Sequence, residues 1–139
     1  MAASDALRKL RLPVFGAPMF IVSGPELVIA QCRAGVLGAF PALNARPAEL
    51  LDEWLEQIRG ALTSDDAPYA VNLIVHGTNK RLERDLALVV KHKAPVVITS
   101  LGAQEQVNAA VHSYGGQVFH DVTTSAYARK AIEKGADGL

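Results

Sequence analysis

The sequence has little that would suit a secreted, membrane-bound or nucleic-acid-binding protein. Among its 139 residues there is a single cysteine, Cys32, so no intrachain disulfide can form. Lys and Arg total 14, as do Asp and Glu, and this zero net charge argues against a nucleic-acid partner. No apolar run approaches the ~20 residues of a membrane span, and the first residues lack the apolar stretch of a secretory signal. We therefore expect a cytoplasmic protein without a membrane partner.

Common nucleotide and metal motifs are also missing. The bend Gly16-Ala17-Pro18-Met19 is not a G-x-G-x-x-G loop, and proline occupies a position where glycine would let a phosphate approach. The sequence has no P-loop lysine pattern, and the spacing of its four histidines matches no zinc site. These absences argue against a dinucleotide fold and against a metal centre.

Apolar strands alternate with amphipathic helices along the whole chain. The strand predictions cover 12–20, 36–40, 69–75, 94–100 and 117–122, and 136–139 resembles the start of a sixth strand. The run 12–20 is apolar enough for a central strand buried on both faces. Such alternation predicts a parallel sheet with right-handed crossovers, which is either an open doubly wound sheet or a (β/α)8 TIM barrel of about 250 residues.

We expect one domain over 1–139, an incomplete N-terminal portion of a TIM barrel. It would supply about the first five βα units and the start of strand six. Because such an open sheet leaves raw edges, the alternative is a short chain that closes by pairing with another copy, as a homo-oligomer.

Three local predictions accompany this α/β fold. Ser23 and Glu26 have the spacing of a capping box, so Ser23 is the predicted N-cap of the helix that follows. The charges around Asp85 are expected on a solvated helix face. His92 and His112 fall in helices, where we expect them on the outside without a role.

Ligand-facing groups in such folds lie at the carboxyl ends of the strands. The candidates there are Ala17, Pro18, Met19, Phe20, Phe40, Pro41, Asn72, His76, Thr99, Ser100, His120 and Asp121. Asn72 is the most informative, because an amide within an apolar strand must find partners or lose roughly 1–3 kcal/mol. A flat heteroaromatic ligand could supply them, and the alternative is a bond to a neighbouring strand's loop. His76 and His120 could exchange protons, although each could equally be structural.

Several segments at these positions resemble nitronate monooxygenases, formerly called 2-nitropropane dioxygenases. The resemblance rests on Ala17-Pro18-Met19, Phe40-Pro41-Ala42-Leu43-Asn44, Val71-Asn72-Leu73, Ile98-Thr99-Ser100-Leu101-Gly102, Val118-Phe119-His120-Asp121 and Lys134-Gly135-Ala136-Asp137-Gly138. It implies a TIM barrel with noncovalent FMN that oxidises alkyl nitronates with dioxygen, giving a carbonyl compound and nitrite.

The same resemblance implies which residues contact the cofactor. These are Ala17, Pro18, Met19, Phe20, Asn72, Thr99, His120 and Asp121. Some relatives have lysine where this chain has Asp121, and an aspartate would oppose an anionic reduced flavin. The family's base histidine and its phosphate-binding loops would lie beyond Leu139, so no catalytic residue is expected within the chain and the piece alone is expected to be inactive. The alternatives are a flavin-dependent enoyl reductase of fatty-acid synthesis and a truncated, non-catalytic oligomer or binding module.

Overall fold

The computed structural model describes residues 7–139, in which strands and helices alternate. In chain order the elements are α1 (Pro25–Arg33), β1 (Gly38–Pro41), a 3-10 helix (Ala42–Asn44), α2 (Leu50–Ala61), β2 (Tyr69–Ile74), α3 (Leu82–His92), β3 (Val96–Ser100), α4 (Glu105–His112), β4 (Gln117–His120) and α5 (Ser125–Glu133). No helix among these residues has both the length and the apolar character needed to cross a membrane.

The four strands form one parallel sheet in the order β1-β2-β3-β4. Phe40 pairs with Val71, Val71 with Val97, and Val97 with Val118, so one register row runs across the whole sheet. The predicted strands at 36–40, 69–75, 94–100 and 117–122 and their parallel pairing are confirmed. Sequential strands are neighbours because each helix returns the chain to the next position along the sheet.

The predicted first strand at 12–20 is wrong in extent and in burial. It makes a single parallel bridge, Phe15 to Leu37, whereas Leu12 is 59% and Val14 is 47% exposed. Pro13 offers no backbone donor to extend the pairing. At the other edge, Gly138 bridges Phe119, as the predicted start of a sixth strand requires.

The two faces of the sheet differ in what covers them. The helix-covered face is lined by alternate strand residues such as Val71, Val97 and Val118, which share one core with the helices. The other face, called the inner face below, carries a separate cluster of five buried strand residues, namely Leu37, Ala39, Ala70, Val96 and Ile98. In a doubly wound sheet both faces would carry helices, so this arrangement is that of a barrel wall.

Two aromatic rings show how strongly the sheet curves. Phe15 at the first edge and Phe119 on β4 meet edge to face, with ring centroids 5.1 Å apart. Both rings are partly buried and pack against the inner-face cluster, so the two edges of the sheet approach each other across its concave side. Alternate strands of a TIM barrel fill the interior in this way.

Local predictions about polar residues were less successful. Gly24, not Ser23, is the N-cap of α1, and the hydroxyl of Ser23 instead accepts a hydrogen bond from the Met19 amide at 2.9 Å. Asp85 and His92 were expected at the surface, yet Asp85 is fully buried and His92 is 6% exposed. Helical spacing placed Asp85 and His92 correctly on α3, but it did not reveal their partners, which are Arg81 for Asp85 and both Asp52 and Arg59 for His92.

Candidate functional site

Asn72 lies on the inner face near the carboxyl end of β2. The residue two positions earlier, Ala70, belongs to the inner-face cluster, and side chains alternate along a strand. The Asn72 amide nitrogen donates to the backbone carbonyl of Ile98 at 3.0 Å and to the hydroxyl oxygen of Ser100 at 2.7 Å. A carbonyl can only accept, so this contact fixes which end of the amide is the nitrogen. None of the described residues donates a hydrogen bond to the amide oxygen.

Ser100 connects Asn72 to an exposed carboxylate. Its hydroxyl donates to Oδ2 of Asp121 at 2.7 Å while it accepts from Asn72. The donors therefore point in one direction, from the Asn72 amide to the Ser100 hydroxyl to the Asp121 carboxylate. We call these three residues the inner polar chain. Asn72 and Ser100 are buried, whereas Asp121 is open to solvent.

Thr99 and His120 pair with each other on the opposite, helix-covered side. Thr99 Oγ1 lies 2.6 Å from His120 Nδ1, and both residues are buried. Burial lowers the pKa of His120 below its usual 6.5, while the Asp121 carboxylate and a hydrogen bond at Thr99 oppose that shift. The imidazole is therefore neutral at neutral pH. His120 and Asp121 are sequence neighbours that hydrogen-bond on different sides of the sheet, so they form no catalytic dyad.

A cavity of about 660 Å³ opens beyond the ends of β3 and β4. His120 and Asp121 line it together with Leu101 and Gly102 from the loop after β3. Tyr127 and Lys130 of α5 form another part of its wall. Because His120 and Asp121 both line this cavity, a ligand bound there at the carboxyl end of the sheet would meet a neutral imidazole and a carboxylate.

The segment with Ala17, Pro18, Met19 and Phe20 turns over the end of β1, and Asn44 holds it there. The Asn44 amide donates to the carbonyls of Met19 at 3.0 Å and Ser23 at 2.9 Å, and its oxygen accepts from the Ile21 amide at 3.0 Å. The side chains of Met19 and Phe20 are 41% and 55% exposed. This turn, residues 17–23, thus presents apolar side chains to the same end of the sheet that carries the inner polar chain.

A buried ion pair supports the 3-10 helix on which Asn44 lies. The Arg81 guanidinium donates to the carbonyls of Ala45 at 2.9 Å and Ala42 at 3.2 Å, and to Asp85 Oδ1 at 3.1 Å. Burial raises the pKa of Asp85, and the hydrogen bond from Arg81 opposes that rise. Arg81 therefore links α3 to the loop that positions the 17–23 turn.

The structure brings some of the sequence-predicted site residues together and separates others. Asn72 and Asp121 are joined through Ser100. Thr99 and His120 are hydrogen-bonded to each other on the helix-covered side of the sheet. Asn44, the last residue of the 3-10 helix, was not among the predicted site residues, although it ends one of the segments on which the family resemblance rests. Within residues 7–139, no cluster of three His, Cys, Asp or Glu side chains could hold a metal ion.

Comparison with known proteins identifies the fold. No protein-family model and no curated protein matches the sequence. The nitroalkane oxidase from Streptomyces ansochromogenes has a similar structure, with a TM-score of 0.84 and 24% identity over 99% of this chain and 47% of its own. FabK from Thermotoga maritima gives a TM-score of 0.83 and 24% identity, over 97% of this chain and 41% of its own.

A third similar structure is the enoyl reductase domain of MlnA from the macrolactin biosynthesis cluster of Bacillus amyloliquefaciens. It has a TM-score of 0.71 and 19% identity, over 94% of this chain and 35% of its own. The chain thus spans less than half the length of these structures. The nitroalkane oxidase and FabK are TIM barrels. The chain therefore has the fold of part of a TIM barrel.

Proposed function

We propose that the chain is part of an FMN-dependent nitronate monooxygenase, which oxidises alkyl nitronates with dioxygen to a carbonyl compound and nitrite. The likeness to a nitroalkane oxidase over 99% of the chain supports this proposal. The observation that carries it is the orientation of Asn72. Its nitrogen is committed to two protein acceptors, and its oxygen is left for a ligand donor on the inner face.

The residues present fit a flavin. The oxidised isoalloxazine ring has one ring N–H, and the Asn72 amide oxygen is an acceptor suited to it. Met19 and Phe20 offer exposed apolar side chains at the same end of the sheet, where a flat ring needs cover. A bound flavin would supply two-electron redox chemistry.

His120 and Asp121 would shape the electrostatics of that site. Burial keeps His120 neutral at neutral pH, so it adds no positive charge. The Asp121 carboxylate, held by the Ser100 hydroxyl, adds a negative charge that would disfavour an anionic reduced flavin. We propose Ala17, Pro18, Met19, Phe20, Asn72, Thr99, His120 and Asp121 as the cofactor-binding residues and assign the catalytic base to none of the residues in this chain.

A flavin-dependent enoyl reductase is the second candidate. FabK from Thermotoga maritima matches at the same 24% identity and a TM-score of 0.83, and an enoyl reductase domain matches as well. This function would require NAD(P)H as the electron donor, which the nitronate reaction does not need. A protein without catalysis, acting as an oligomer or a binding module, is the third.

The three candidates separate in one set of measurements on the intact protein supplied with FMN. Nitrite released from an alkyl nitronate in the presence of dioxygen supports the monooxygenase. Rapid bleaching of the bound flavin by NADH, without nitrite release, supports the reductase. Failure to retain flavin at micromolar concentration contradicts both enzyme functions.

The role of Asn72 has its own test. Asn72→Ala should weaken FMN binding about tenfold, the value of roughly one hydrogen bond, and should shift the flavin spectrum. Asn108→Ala is the matched control, because Asn108 is also a buried amide and donates to the carbonyl of Lys134 at 2.8 Å, away from the inner face. Equal FMN affinity in both variants would mean that Asn72 is a structural amide.

A further inference from the structure

We propose that a second site, at the amino-terminal end of the sheet, binds a small ligand through its phosphate group. A cleft of about 520 Å³ lies there, lined in part by Lys9, Arg59, Tyr69, Lys91, His92 and Lys93. Tyr69 is the first residue of β2, and Arg59 and His92 lie at the carboxyl ends of α2 and α3. The cleft is therefore at the end of the sheet opposite to Asn72, and it does not depend on the proposed flavin site.

The first feature that indicates a ligand is the hydroxyl group of Tyr69. The residue is 4% exposed, and its hydroxyl oxygen is buried without a hydrogen-bond partner among the described residues. Burial raises the pKa of Tyr69 to about 12, so the hydroxyl keeps its proton and remains a donor. Buried polar groups in folded proteins are normally satisfied, and an acceptor bound in the cleft would satisfy this one.

The second feature is the uncompensated charge of Arg59. Its Nη1 lies 3.2 Å from Nδ1 of His92. A guanidinium can only donate, so Nδ1 accepts, and the imidazole proton is on Nε2, which contacts Asp52 Oδ1 at 2.5 Å. A ring nitrogen that accepts brings no negative charge, and no carboxylate among the described residues forms an ion pair with Arg59. The guanidinium is held in place with its charge available.

The other charges of the cleft have the same sign, with one exception. Lys9, Lys91 and Lys93 add cations, and Lys91 is paired with Asp52 outside the lining. The one acidic residue in the lining, Asp66, already accepts from the amide and hydroxyl of Thr63 at 2.8 and 3.0 Å. Basic residues at helix carboxyl ends also compensate the helix dipole. The helix dipole does not explain why Lys9, which lies outside those helices, lines the cleft. It also does not explain why the Tyr69 hydroxyl has no hydrogen-bond partner.

A phosphate group matches these donors. It offers several acceptor oxygens and a charge near −2, which suit an arginine fork together with a hydroxyl donor. A volume of about 520 Å³ also leaves room for the rest of a phosphate ester. Apart from Lys9 and the loop before β2, the walls come from α2, β2, α3 and the residues just before β3.

Isothermal titration of the intact protein tests this site, with inorganic phosphate and adenosine 5′-monophosphate as probes at matched ionic strength. Wild-type protein should bind at least one of them, and the tighter one shows whether the site takes the free ion or an ester. Tyr69→Phe removes only the hydroxyl and should weaken binding about tenfold, as should Arg59→Gln. Two controls should bind as the wild type does: Arg84→Gln, whose arginine pairs with Glu49 on the surface, and Asn72→Ala at the other end of the sheet.

Three results would overturn the proposal. The first is the absence of binding at millimolar phosphate or nucleotide. The second is an equal loss in Arg59→Gln and Arg84→Gln, which would mean diffuse attraction to a basic surface. The third is unchanged binding in Tyr69→Phe, which would leave surface cations as the only contacts.

Discussion

Replacing Asn44 should loosen the 17–23 turn without unfolding the protein. Asn44→Ala removes three hydrogen bonds, two donated to the carbonyls of Met19 and Ser23 and one accepted from the Ile21 amide, all at 2.9–3.0 Å. Only the single bridge at Phe15 attaches the preceding segment to the sheet as a strand. The side chain of Asn44 therefore carries much of the attachment of this turn.

The size of the effect follows from the exposure of the partners. Three hydrogen bonds at 0.5–1.5 kcal/mol each would total about 1.5–4.5 kcal/mol. Ile21 is 81% and Met19 is 41% exposed, so water can replace part of what is lost. We expect local opening to become easier by about 1.5–2.5 kcal/mol, which corresponds to amide exchange about 10- to 60-fold faster at Ile21.

Hydrogen exchange followed by NMR measures this opening directly. Asn44→Asp keeps an acceptor for the Ile21 amide but loses both donations, so its exchange rate should fall between those of the wild type and Asn44→Ala. Asn108→Ala, a buried amide on α4, should leave Ile21 unchanged. If Ile21 exchanges at the wild-type rate in Asn44→Ala, the assignment of Asn44 as the residue that holds the turn is wrong.

Three further predictions concern the polar pairs. Ser100→Ala leaves one Asn72 N–H without its acceptor and should raise the FMN dissociation constant about three- to tenfold in a fluorescence titration; an unchanged constant would contradict a role for the inner polar chain. Asp85→Ala should lower the urea unfolding free energy by about 2–3 kcal/mol, less than for a fully buried pair because the Arg81 side chain is 24% exposed. The exposed neighbour Glu83, changed to Ala, should cost under ~0.5 kcal/mol, and equal losses would refute the buried-pair argument. Burial lowers the folded-state pKa of His120, so its contribution to the free energy of unfolding should be complete above the unfolded pKa of 6.5 and should decline as the pH falls through the folded pKa. His120→Asn should flatten that decline in unfolding free energies measured against pH. Parallel curves for the variant and the wild type would show that another group causes the decline.

The sheet could be predicted because its strands are visible in the sequence as short apolar runs. Residues 69–75 and 94–100 are short apolar runs, and each lies between two helices that carry one apolar stripe. This pattern is typical of a buried strand in a parallel sheet. Choosing between a barrel and a doubly wound sheet was not possible from pattern alone. That choice depends on which face the helices cover, and the contact between Phe15 and Phe119 shows the curvature that periodicity does not encode.

The errors arise where a polar side chain forms hydrogen bonds within the protein instead of facing solvent or capping a helix. Ser23 had the spacing of a helix cap, but its hydroxyl bonds back to the 17–23 turn. Asp85 is buried because Arg81 accompanies it, and His92 is buried between Arg59 and Asp52. Of the candidate site, sequence reasoning predicted that Asn72 needed partners, whereas the direction of its amide became visible only with Ser100 in place.

The proposed flavin site depends on the free acceptor at Asn72, and a side-by-side titration of FMN into intact wild-type and Asn72→Ala protein tests it most directly. The flavin absorption spectrum and fluorescence would both be recorded. We predict micromolar or tighter binding with a perturbed spectrum in the wild type, and binding about tenfold weaker with a spectrum closer to free FMN in the variant. Absence of FMN binding by the wild type, or identical affinity and spectra in both proteins, would contradict it.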